Sequence, residues 1–220
     1  MTLYDVILYI HLLGFVFWLG TDIGVFIGAK FTENAEYSVE TRMAILKLAM
    51  VLDIAPRVAM PVVFSSGLYL SHVKYGVEVP PLGLGLTLSA IWLGIVALGI
   101  FNKPETKLGA TAQKLNLGAN VFVLLAMGSM GLMSLFGADY FTTSIAVKWL
   151  AFAWIALFAI GIDYTFKPAI ADYMRLMTEG ASDEINASLT KHLKPVYLTV
   201  IAVYLGTMFA AYVGQTQVFG

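Results

Sequence analysis

The chain has 220 residues, 59% apolar and only 12% charged, with a net charge of −1 and no cysteine. An ordinary soluble domain is about 45–50% apolar and about 25% charged, so a soluble fold of this length has nowhere to hide so much apolar surface. The balance excludes a nucleic-acid binder and a disordered chain, and the missing cysteines exclude disulfides, thiolate metal sites and cysteine nucleophiles.

The apolar runs are long and lack the period-2 alternation of barrel strands, so the sequence predicts an all-α, polytopic membrane bundle. Six spans follow in chain order: Leu3–Gly28, Ala49–His72, Leu84–Asn102, Leu115–Phe136, Thr143–Tyr164 and Val196–Tyr212. Most are near the ~20 residues a bilayer core requires. The first run lacks a basic flank and a cleavage site, which argues against a signal peptide. Before the second span, Ser38 and Glu40 read as a helix cap and first turn. Pro80-Pro81 reads as a short turn, and Tyr4, Tyr69, Tyr75, Tyr140 and Tyr212 as an outer aromatic belt. The whole chain 1–220 reads as one transmembrane domain, with a short cytoplasmic helical segment at about 166–194. Within it a helix over Pro168–Thr178 stops at Gly180, and Ser182, Asp183 and Glu184 start another that Pro195 interrupts or kinks.

Loops alternate between the two faces. One face receives Lys30, Arg42, Lys47, Lys103, Lys107, Lys114, Lys167, Arg175, Lys191 and Lys194; the other receives only Lys74 and Lys148. The positive-inside rule then puts both termini outside and the ten-cation face in the cytoplasm, as in a bacterial inner-membrane protein.

Polar residues within spans are costly and mark function by default. In the first span His11, Trp18 and Asp22 share one helical face, while Gly20, Gly24 and Gly28 form a small-residue stripe roughly opposite. That stripe reads as a packing face, with a homo-oligomer or complex seam as the alternative. In the second span Asp53 and Arg57 are four residues apart and able to pair, with Pro56 between them and Pro61 beyond. Asp22, Asp53 and Arg57 lie toward the cytoplasmic side and read as one polar cluster, either an ion-paired clamp or a proton or cofactor site. His11, His72 and Lys148 lie toward the outer side. Two histidines on neighbouring helices suit the axial positions of a haem b, with the lysine near a propionate. Met127, Met130 and Met133 form a thioether row that suits Cu(I), or packs the core. Asn116 and Asn120 read as interhelical hydrogen-bonding glue, and His192, Asp163 and Tyr164 as interfacial residues. Hydrolytic motifs are missing.

The stretch from His11 to Gly20, HLLGFVFWLG, resembles the opening helix of the CopD/HemJ-like bacterial membrane proteins. Ser66–Leu70 resembles their second-helix ending, and Ala146–Phe152, with Lys148, a later helix that opens with lysine. The likeness covers about a third of the chain. It implies a haem-ligand role for His11 and an important role for Lys148. Six spans, and a Pro-Arg pair in the second span instead of close behind the first-helix histidine, depart from the HemJ-type pattern. The leading expectation is a haem b-binding redox or electron-transfer protein, with a quinone or redox protein as partner. The alternatives are a copper or proton-coupled transporter, and a non-catalytic subunit of a larger complex.

Overall fold

A computed structural model describes residues 1–78, 82–138 and 140–216. The Pro80-Pro81 turn therefore lies outside the described residues. Every regular element described is an α-helix: α1 (Leu3–Thr32), α2 (Val39–Leu52), α3 (Ile54–Tyr75), α4 (Leu82–Phe101), α5 (Lys107–Leu135), α6 (Thr143–Thr165), α7 (Lys167–Glu179) and α8 (Asp183–Thr216). Six helical stretches are long and apolar enough to cross a membrane, with α2 running into α3 and α6 into α7. The protein is thus an all-helical bundle of the multi-pass membrane class, and its expected partner is the lipid bilayer. Its outside agrees: Phe17, Ile91, Phe122, Leu125, Leu205 and Phe209 all point away from the bundle. Only a hydrocarbon solvent tolerates such a surface, and only helices satisfy their own backbone there.

Local chemistry sets the helix ends. Thr2 and Asp5 form a capping box on α1, and Ser38 accepts from the Thr41 amide to start α2. Pro56 has no amide hydrogen, so the α2–α3 rod breaks at Asp53. Pro195, in contrast, is carried inside a continuous α8. The predicted cytoplasmic helix is α7, ended by Gly180 at φ 85°.

Close approaches then pair the helices. Gly14 faces Val63, and Gly67 faces the His11 ring, joining α1 to α3. Gly131 lies against Ala146 and Leu150 of α6, and Gly206 of α8 against Trp154. The α1–α3 pair and the α6–α8 pair are each tight, but α1 meets α8 at only a few points. Long aromatic side chains bridge that seam. Trp18 sits edge-on to Phe152 at 6.1 Å, and Phe152 lies 5.7 Å from Phe64. On the side of the α1–α2 and α7–α8 connections a second core forms. There Ala169, Leu176, Leu189 and Leu193 are fully buried, with Phe26, Met43 and Leu46 packed on them.

Candidate functional site

The helix break at Asp53 places a carboxylate and a guanidinium on one short turn. Arg57 donates from Nε to Asp53 Oδ2 at 2.6 Å, and its terminal nitrogen lies 2.5 Å from the same oxygen. Asp22 of α1 lies within electrostatic reach of both. The three predicted cluster members therefore do come together. The structure adds a fourth, Asp163 in the last turn of α6, within reach of Arg57 and Asp53. Tyr204 of α8 faces Asp22. Its hydroxyl is buried and has no hydrogen-bond partner among the described residues. Three carboxyl groups thus stand near one guanidinium, on α1, at the head of α3 and on α6. One charge pair is made, and two carboxyl groups are left over.

The outer polar residues are arranged differently. His11 Nδ1 lies 2.9 Å from Ser66 Oγ, which itself donates to the Val62 carbonyl at 2.6 Å. The Ser66 proton being spent there, Ser66 accepts from His11 Nδ1–H. That assigns the lone pair of the neutral ring to Nε2. His72 Nδ1 lies 3.2 Å from the Val77 carbonyl and 3.0 Å from Glu78 Oε1, so its ring turns to the end of α3. His11 stands level with Ser66 and Gly67, and His72 is about 8–9 Å further along α3 at ~1.5 Å per residue. Lys148 has its Nζ 3.1 Å from where a Cβ on Gly214 would stand, and it is within electrostatic reach of His11.

A haem held between two histidines does not fit these positions. His11 is oriented as a single ligand would be, with its other ring nitrogen anchored. His72, however, is engaged by its own loop. The two apolar cavities described between α3, α4, α5 and α6, of about 120 and 240 Å³, are lined by Phe64, Leu88, Phe122 and Val123 among others and by no histidine. The methionine row also divides. Met127 and Met130 line the smaller cavity, whereas Met133 is 49% exposed on the outside of α5. Among the described residues no group of three His, Asp or Glu side chains is placed to hold a metal ion. Trp18 is buried in the aromatic seam. The glycine stripe splits as well: Gly24 and Gly28 seat α2 through Leu52 and Ala49, while Gly20 faces open space.

Four residues take roles that their sequence positions alone did not assign: Asp163, His192, Asp172 and Arg42. Asp163 had a signal, since it ends its span on the same side as Asp22 and Asp53. His192 and Asp172 had one too: they lie symmetrically about the 180–182 turn, so a helical hairpin must face them. Their Nδ1–Oδ2 distance is 2.6 Å, and Asp172 also accepts from Ser188. Arg42 had none. Counted above among the cytoplasmic cations, it is fully buried, donating to the Thr32 carbonyl at 2.6 Å and to Asn186 at 2.8 Å. Asn116 does act as glue, accepting from Trp92 Nε1 at 3.0 Å. No protein-family model, curated protein or solved structure matches the chain.

Proposed function

We propose that the protein is a proton-coupled transporter of the bacterial inner membrane, with both termini outside, in which Asp22, Asp53 and Asp163 bind and release the proton around Arg57. The observation that carries this reading is the charge imbalance: Asp53 is ion-paired to Arg57, and two further carboxyl groups, Asp22 and Asp163, lie within electrostatic reach of that pair. An ion-paired clamp needs one carboxylate per cation. The surplus carboxyl groups exchange protons instead, and neutralisation changes the attraction between α1, α3 and α6.

Infrared difference spectra of the reconstituted protein, taken between mildly acid and alkaline pH, test this. A carboxyl band should appear and vanish with pH, and Asp22→Asn or Asp163→Asn should remove part of it. A band unchanged in the Asp22→Asn, Asp53→Asn and Asp163→Asn variants would remove the proposal.

A second reading rests on the CopD/HemJ-like resemblance and on the anchored Nδ1 of His11, which leaves Nε2 as a donor. It makes the protein a haem b-binding redox protein with His11 as one axial ligand. A reduced-minus-oxidised optical spectrum decides it: an α-band lost in His11→Ala supports that reading, and a folded preparation without one ends it.

A further inference from the structure

The polar residues of the seam fall into two groups separated by rings. On α1, Trp18 is seven residues from His11 and four from Asp22, about 10 Å and 6 Å along the axis. On α6, Phe152 stands between Lys148 and Asp163; on α3, Phe64 stands between Arg57 and Ser66. These three aromatics form one contiguous stack slanted across the seam, Trp18 on Phe152 at 6.1 Å and Phe152 on Phe64 at 5.7 Å. Beyond Phe64 the layer continues to Trp92 at 6.0 Å. On one side of it lie His11 with Ser66, and Lys148; on the other lie Asp22, Asp53, Arg57, Asp163 and the Tyr204 hydroxyl.

We propose that Trp18, Phe64 and Phe152 are the hydrophobic barrier of a path along the α1/α3–α6/α8 seam, closing the carboxylate cluster off from the face that carries the termini. The proposal rests on the proton-coupled reading of that cluster. Physically, a ring of apolar side chains in a narrow polar path excludes water and so blocks ions and protons. The α1–α3 pair meets the α6–α8 pair at only a few backbone points, so side chains, these rings among them, fill the seam. Phe64 also borders both apolar cavities, which gives its ring space to swing out of the layer. His11, with Nε2 unprotonated, stands as the first acceptor on the far side.

Cysteine accessibility tests the barrier directly, because the chain has no cysteine of its own. His11→Cys and Tyr204→Cys single variants, in sealed vesicles of one orientation, are exposed to a membrane-impermeant thiol reagent on either face. His11→Cys should react only from the face bearing the termini, and Tyr204→Cys only from the opposite face. Adding Phe152→Ala should open both cysteines to both faces and raise the proton leak of the vesicles severalfold. Phe152→Leu, which keeps most of the apolar bulk and guards against a folding failure, should keep the separation. Reaction from both faces with the aromatics intact, no reaction at either site, or a leak unmoved by Phe152→Ala and Trp18→Ala would each overturn the barrier. If the two-sided pattern holds but the carboxyl band does not titrate, the barrier stands and the proton-coupled reading falls.

Discussion

Buried polar groups without partners set the residue-scale predictions. Tyr204 keeps a buried hydroxyl with no hydrogen-bond partner among the described residues. An unmade buried hydrogen bond costs about 1–3 kcal/mol, so Tyr204→Phe should raise thermal stability in detergent by up to that amount. A fall in melting temperature would mean that the hydroxyl has a partner in the working protein, such as Asp22 or a water. Arg42 is a mixed case: its Nη2 is buried without a partner among the described residues, while Nε and Nη1 are bonded. Its guanidinium ties the end of α1 to the start of α8 through two hydrogen bonds, with no carboxylate paired to it. Lysine has the charge but not the planar fork, so its single compact ammonium does not span both separated acceptors. Arg42→Lys should therefore destabilise by about 2 kcal/mol, losing one charged hydrogen bond while the burial cost remains. A melting temperature equal to wild type would show that the fork is not used.

At the scale of elements, the small-residue stripe of α1 divides the packing question cleanly. A Cβ on Gly28 would stand 3.1 Å from the Ala49 methyl, and one on Gly24 3.2 Å from Leu52. Gly28→Leu must push α2 away, and we expect a loss of about 2–3 kcal/mol, in the range of overpacked cores. Gly20 meets nothing within 4 Å. Gly20→Leu should leave the melting temperature within about 0.5 kcal/mol of wild type. If Gly20 sits in a seam with a second copy, the same substitution changes the oligomeric mass in native mass spectrometry. The periodicity of the sequence could announce the stripe but not which of its members meets a neighbour, because that depends on where α2 breaks and turns. The elements themselves were legible for plain reasons. Twenty-residue apolar runs, the Ser38 and Ser182 caps and the Gly180 stop are local signals, and the structure follows them. The Asp53–Arg57 pair was legible because the two stand one helical turn apart. Helix rotation cannot be counted along a span. His11 and His72 share an outer level by counting, yet their rings engage Ser66 and the loop after α3 separately.

For the whole molecule, topology couples charge to mechanism. An even number of crossings puts both ends of the chain on one face. The cation balance of the connecting segments, ten against two, is the basis for the proposed orientation. Each cationic loop resists passage to the outer face, so the sum outweighs any one residue, including the misplaced Arg42. Removing Arg42 from the count, because it is buried in the core beside α7 and α8, leaves nine against two and the same orientation. Alkaline phosphatase fused after Gly220 should therefore be active, and a green fluorescent protein at the same place should be dark. With the proposed orientation, the carboxylate cluster lies toward the cytoplasm and His11 toward the outside. Under an inward proton-motive force a proton would meet His11 first, cross the aromatic layer and settle on the surplus carboxyl groups. A bright fluorescent fusion and an inactive phosphatase would reverse that order, making the carboxylates the outer station and His11 the exit.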